Sequence, residues 1–188
     1  MDKIIDYIKV FNILNKSQCQ NILDILKDYN WQKHKWYRYG DDTENSEKEK
    51  ELDITYSEKF LEEEMSNVIS NALLEYQSYF LKEDKNLRYF LHKSTPVRWN
   101  RYSTGTMMRK HYDHIQSIFD GKYKGIPIVS IVGVLNDDYE GGEFIFNNNY
   151  EVKLKTGDVL IFPSNFLYAH EVKEITKGAR YSYVSWAF

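Results

Sequence analysis

The chain has 188 residues and a mass of 22.5 kDa, the size of one compact domain. Its 25 Lys and Arg against 28 Asp and Glu give a formal net charge of −3, which argues against a protein that coats nucleic acid through a basic field. A 16% aromatic share excludes intrinsic disorder, and the lone cysteine excludes an internal disulfide or a zinc site built on several thiolates.

No run approaches the roughly 20 apolar residues of a membrane span. The opening MDKIIDYIKVF lacks the uninterrupted apolar stretch of a signal peptide. The expectation is a soluble, cytoplasmic protein with no membrane partner.

The first half reads as helix. Ser17 followed by Gln20 has the form of a capping box, in which each side chain satisfies a free backbone N–H. Cys19, Ile22, Leu23 and Leu26 then recur at helical spacing, with Cys19 as a small buried hydrophobe. Trp31, Trp36, Tyr37 and Tyr39 favour strand or turn. The run Asp41–Glu51 holds six acids, two bases and no apolar side chain, which predicts a mobile surface loop unable to pack. Its length also makes it a candidate lid. A second helix is predicted from Ser57 to about Leu81. Its buried stripe is Leu61, Met65, Val68, Ile69, Ala72, Leu73, Tyr76 and Phe80, which needs a sheet to lie against.

From Arg88 the pattern changes to short strands broken by Gly, Pro and Asn. Strands are predicted near 97–102, 108–113, 126–135, 143–146, 150–154, 158–162, 170–172 and 181–187. Asn147-Asn148-Asn149 marks a hairpin turn, because Asn tolerates positive φ. This number of short strands implies a β-sandwich or barrel.

His111 and Asp113 lie two apart on one predicted strand and so face one side together. His170 begins another strand 59 residues later. Two imidazoles and one carboxylate on a β-scaffold form the facial triad that holds non-haem Fe(II) with open positions for substrate and oxygen. Arg180, Ser182, Val184 and Trp186 share one face of an alternating strand. An arginine there needs an anion, and its planar fork suits a carboxylate. His34, His92 and His114 read as satisfied surface or core histidines.

The ordered segments Arg101-Tyr102-Ser103-Thr104-Gly105, His111-x-Asp113, Tyr139-Glu140-Gly141-Gly142-Glu143, Lys155-Thr156-Gly157-Asp158, His170-Glu171-Val172 and Gly178-Ala179-Arg180 resemble the 2-oxoglutarate- and Fe(II)-dependent dioxygenases, most closely their prolyl 4-hydroxylase branch. The resemblance spans about 97–188. It implies a mainly β fold, a double-stranded β-helix (jelly roll) flanked by N-terminal helices. Residues 1–90 would be helical support and acidic loop, and 91–188 the catalytic core of a single domain. His111, Asp113 and His170 would bind iron, Arg180 the distal carboxylate of 2-oxoglutarate, Tyr102 would donate to the co-substrate, and Ser182 would assist Arg180. Trp186 would wall the pocket, and Arg109, of the same parity as His111, would be a substrate contact.

The implied cofactors are Fe(II), 2-oxoglutarate and O2, with ascorbate as a further candidate. The implied reaction is C–H hydroxylation of a proline-containing peptide or protein, with succinate and CO2 as co-products. Asp113 favours hydroxylation over halogenation, because halogenating relatives lack that carboxylate. A lysyl, small-molecule or nucleobase substrate, or a non-catalytic jelly-roll binding module, are the alternatives. Relatives often place a tyrosine that reaches the distal carboxylate where this chain carries Gly133, so another donor is expected to take over.

Overall fold

The computed structural model describes residues 2–36, 48–56, 59–82, 89–91, 93–113 and 126–188. The elements of the first half are α1 (Asp2–Ile5), β1 (Lys9–Asn12), α2 (Lys16–Leu26), β2 (Gln32–Lys33), β3 (Asp53–Tyr56) and α3 (Lys59–Leu81). The second half is strand: β4 (Arg98–Ser103), β5 (Met108–His111), β6 (Val129–Val134), β7 (Glu140–Gly141), β8 (Phe144–Phe146) and β9 (Tyr150–Val152). It ends with β10 (Asp158–Pro163), β11 (His170–Val172), β12 (Ile175–Lys177) and β13 (Ala179–Ala187).

Two antiparallel sheets face each other. The larger runs β1-β10-β6-β13-β4-β3-β2, the smaller β5-β11-β8-β9, and β12 pairs with β7. This is the predicted mainly β, double-stranded β-helix with helices on one side. Alternate residues of the larger sheet serve two separate cores. Trp99, Ile131, Val159 and Tyr183 point outward to meet α2 and α3, where Cys19, Ile22, Leu26, Met65 and Ile69 are buried. Tyr102, Val132, Leu160 and Phe162 point inward to meet Phe144, Phe146 and Val172 of the smaller sheet. Among the described residues no helix is long and apolar enough to cross a membrane.

The helical stripe of α3 is buried as predicted, with Phe80 only partly covered. The start of α2 differs from expectation. Its cap is Asn15, whose side chain accepts from the Gln18 N–H at 2.9 Å while the Gln18 amide oxygen accepts from the Asn15 N–H at 3.0 Å. Ser17 lies inside the helix. A cap is set by where the chain turns out of β1, and both Asn15/Gln18 and Ser17/Gln20 satisfy the same spacing rule.

The reading of the first half as helix also needs correction, since β1, β2 and β3 extend the larger sheet at both edges. Strands of four, two and four residues are too short to display an alternating pattern. The asparagine turn is as expected: Asn149 has φ 59° and joins β8 to β9.

Gly133 is a further correction. It pairs across from Tyr183 on the outward face, so no side chain there could reach the jelly-roll interior. The inward residues immediately flanking it, Val132 and Val134, carry no hydroxyl, and Ser130, the third inward residue of β6, bonds to Asp113 instead. A Cβ on Gly133 would lie 1.9 Å from the Tyr183 ring. That ring is fully buried and edge-on to Trp99 at 5.7 Å. Gly133→Ala is therefore expected to lower stability by about 1–3 kcal/mol through overpacking, read as a lowered urea midpoint.

Candidate functional site

His111 closes β5 and His170 opens β11, and the two are direct cross-strand partners. Their ring centroids lie 4.4 Å apart. Regular pairing of β5 ends at His111, two residues earlier than predicted, yet Asp113 still turns its carboxylate to both rings. The distances are 3.3 Å to His111 Nε2 and 3.9 Å to His170 Nε2. One ligand atom from each of the three lies within 4.8 Å of the others.

The two imidazoles are oriented in the same way. His111 Nδ1 lies 2.7 Å from the Arg109 carbonyl and His170 Nδ1 lies 3.0 Å from the Tyr168 carbonyl. A carbonyl oxygen can only accept, so both protons sit on Nδ1 and both Nε2 lone pairs face Asp113. His170 is further fixed by stacking on Phe144 at 5.1 Å with Phe162 against its edge at 4.8 Å. Burial, opposed in part by Asp113, lowers its pKa to about 4, so it is neutral at pH 7. Burial opposes ionisation of Asp113, but the positive charge of the neighbouring imidazoles in their protonated form, His170 foremost, and a hydrogen bond from Ser130 outweigh it and hold the carboxyl below its usual range. Two nitrogen lone pairs and a carboxylate converging on one point are the donor set of a divalent first-row metal with part of its coordination left open.

Arg180, on the inward face of β13, is 1% exposed. Its Nε donates to the Tyr139 hydroxyl at 3.2 Å, one terminal nitrogen donates to Ser182 Oγ at 3.0 Å, and the guanidinium lies 5.1 Å over the Tyr102 ring. The other terminal nitrogen is buried without an acceptor, and no described residue forms an ion pair with it. A buried guanidinium with an unmet donor costs several kcal/mol unless an anion joins it. This is the chemistry of a carboxylate seat. Tyr102 is 2% exposed and close enough to Arg180 and Asp113 for both charges to act on its hydroxyl.

Residues 97–188 match the model of the 2OG-Fe(II) oxygenase superfamily. A PKHD-type hydroxylase of Stenotrophomonas maltophilia is 33% identical over 131 residues, 67% of this chain and 55% of that protein. The chain belongs to the 2OG-Fe(II) oxygenase superfamily. Among solved structures, a Trichoplax adhaerens prolyl hydroxylase in complex with a hypoxia inducible factor oxygen degradation domain peptide fragment matches this oxygenase with TM-score 0.69 at 18% identity. The match covers 99% of this chain and 86% of that one. A Pseudomonas putida prolyl-4-hydroxylase matches with TM-score 0.65 at 16% identity, covering 99% and 97%. These structures share the oxygenase fold. The chain spans about half the length of the first curated relatives it matches.

The remaining predicted residues fall around this centre. Arg109 is exposed, lies 4.9 Å over the Trp36 ring and pairs with Glu51 at 3.6 Å. Trp186 is half-buried on the inward face of β13, with its indole N–H buried and unpartnered. His92, His114 and positions 41–47 lie outside the described residues.

The reading of the acidic run as unable to pack fails at its last residue. Glu51 is 4% exposed. It accepts from Trp36 Nε1 at 2.9 Å and meets His34 Nδ1 at 3.4 Å, while Trp36 lies edge-on to His111 at 5.3 Å. This Glu51–Trp36–His111 stack escaped the sequence reading because Glu51 is compositionally one more acid in a charged run. Its only local signal is the Leu52 that follows.

Two outcomes follow. Glu51→Ala strands the Trp36 donor and should cost about 2–3 kcal/mol, whereas Glu49→Ala, exposed in the same run, should stay within roughly 0.5 kcal/mol; chemical denaturation compares them. Burial, with the nearby guanidinium of Arg98 and smaller contributions from His111 and Arg109, lowers His34 to about 3. With an unfolded value near 6.5, His34 and His170 take up more protons unfolded than folded. Stability of the metal-free protein should therefore be full above pH ~6.5 and fall continuously toward pH ~4. In urea melts across that window, His34→Gln should show a shallower slope.

Proposed function

We propose that the chain is a 2-oxoglutarate- and Fe(II)-dependent dioxygenase that hydroxylates an unactivated C–H bond, with a peptidyl proline as substrate and succinate and CO2 as co-products. The observation that carries this reading is the convergence of His111, Asp113 and His170 beside a buried Arg180 with an unmet donor. The family match and the relatives named as hydroxylases support the reaction class, and the prolyl hydroxylase neighbours support the peptide. A non-catalytic binding module would have no use for a metal donor set and a carboxylate seat in one cavity.

His111, Asp113 and His170 would hold Fe(II), which with bound 2-oxoglutarate and O2 supplies the oxidising power for hydroxylation. Arg180 would receive the distal carboxylate on its free terminal nitrogen while Ser182 fixes the other, so the fork is oriented before binding. Tyr139 and Tyr102 are the hydroxyls beside it, and either supplies the second donor sought for the carboxylate in place of a β6 tyrosine. Phe144, Phe146 and Phe162 line the metal side and exclude water. Trp186 would close the substrate side.

The test is conversion of 2-oxoglutarate to succinate under Fe(II), O2 and ascorbate, with mass spectrometry for gain of one oxygen on proline-containing peptides. Asp113→Ala should abolish turnover and Fe(II) binding together. Arg180→Ala should retain bound iron and raise the KM for 2-oxoglutarate on the order of 10–100-fold. Tyr139→Phe should raise it by roughly threefold to tenfold. No succinate from the wild-type protein, or Arg180→Ala with an unchanged KM, would defeat the reading.

A further inference from the structure

The cavity contains a second guanidinium that neither the metal triad nor the 2-oxoglutarate seat uses. Arg98 stands on β4 at the same parity as Asn100 and Tyr102, across from Val184 of β13 and Tyr56 of β3. It therefore points into the jelly roll. Its Nε donates to the Asn100 amide oxygen at 3.1 Å, and its guanidinium carbon lies 5.4 Å over the Trp186 ring. These two contacts aim the head group and leave its terminal nitrogens for another partner.

No described residue forms an ion pair with Arg98. Burial opposes its charge, and among the groups that favour that charge the one ionised at neutral pH is the carboxylate of Asp113. Arg101, three residues on, shows how this strand treats an arginine that is structural. On the opposite face, it is paired with Asp53 at 3.0 Å and lies 4.7 Å over Trp31. Arg98 has the aromatic platform without the carboxylate. The neighbouring Trp186 N–H is itself an unpartnered buried donor, so this wall offers donors and positive charge with no acceptor for them among the described residues.

We infer that Arg98, held on Trp186 and Asn100, receives a carboxylate carried by the substrate, so that the hydroxylated carbon lies within a few bonds of an acidic group. This rests on the dioxygenase reading and narrows its substrate class. Arg180, across from Tyr102, takes the co-substrate's carboxylate, and Arg98, across from Val184 on the same sheet face, takes the substrate's. A planar fork stacked on an indole suits a planar carboxylate and orients it in two dimensions. The carboxylate can come from an Asp or Glu beside the target residue in a peptide, or from the free carboxylate of a small molecule.

The experiment uses matched acid and amide probes with Mn(II) and 2-oxoglutarate in excess, so that Arg180 is already engaged. Binding is read by calorimetry and by quenching of tryptophan fluorescence. One arm compares N-acetyl-Glu-Pro-amide with N-acetyl-Gln-Pro-amide and the Pro-Glu and Pro-Gln counterparts. The other compares L-proline with L-prolinamide. The expected result is at least tenfold tighter binding of the acid in one arm, which identifies the source of the carboxylate.

Arg98→Gln should abolish that preference and Arg98→Lys should keep part of it. Arg101→Gln, the same charge change on the opposite face, should retain it in full. Equal binding of acid and amide in both arms, or a preference that survives Arg98→Gln, overturns the inference. A purely structural role for Arg98 would weaken acid and amide alike. Absence of succinate formation from wild-type protein would instead sink the dioxygenase reading, leaving the acid-over-amide comparison to decide Arg98 by itself.

Discussion

The register of β13 is the constraint on which the rest depends. The strand pairs with β4 over Ala179–Val184 and with β6 over Ser182–Ala187, and its side chains alternate between two environments that cannot be exchanged. Arg180, Ser182, Val184 and Trp186 enter the jelly roll, while Tyr181 and Tyr183 enter the core beneath the helices. A slip of one residue would drive a guanidinium into packed aliphatics and empty the co-substrate seat in the same step. Gly133 helps to prevent it, because only the correct register sets the bulky Tyr183 ring over the one position of β6 that lacks a Cβ. Pairing with β4 carries the same parity to Arg98 and Tyr102, so the whole inner wall is set by one strand.

Charge within the cavity runs opposite to that of the molecule. The chain is acidic by three charges, yet the inner faces of β4 and β13 carry Arg98 and Arg180, while of the two buried carboxylates, Asp113 and Glu51, the latter is already paired with Arg109. Glu51 is engaged by Trp36, His34 and Arg109, and Asp113 is committed to the imidazoles. Arg180 and Arg98 are left facing the space between the sheets. In a medium of lowered dielectric such an excess is costly in the empty state and attractive to an anion.

What was legible in the sequence follows from the range of the interactions involved. His111, Asp113, His170 and Arg180 could be found because a strand's period of two makes same-face neighbours visible as i, i+2 spacing, and because the order of the surrounding glycine-rich segments resembles a family. The α3 stripe was legible for the analogous helical reason. Asn15 in place of Ser17 was not, since two candidates met the same local rule and the path out of β1 chose between them. Arg98 and Arg101 look alike in Arg-Trp-Asn-Arg-Tyr-Ser, and only parity relative to β13 separates the paired arginine from the unpaired one. Gly133 was misplaced by a single residue, which on a strand means the wrong face. Glu51 was hidden by composition: a hydrogen-bonding partner 15 residues away in Trp36 leaves no periodic trace.

Three buried polar groups lack partners among the described residues, and their positions separate function from packing: Arg180's second terminal nitrogen, the Trp186 indole N–H and the Tyr183 hydroxyl. Each such group costs on the order of 1–3 kcal/mol, a sizeable fraction of a domain's net stability. Tyr183 lies in the helix-side core, where its ring fills the space above Gly133 and its burial offsets the stranded hydroxyl. The other two lie on the inner face of β13, facing the space between the sheets rather than the helix-side core. Retaining donors there makes the ligand-free fold less stable than it could be and gives any molecule that supplies the acceptors a correspondingly larger share of the binding energy. The same two side chains bracket Ser182 and Val184 on one strand. The strand that organises the fold therefore also carries both unmet donors, one near each end of its inward face.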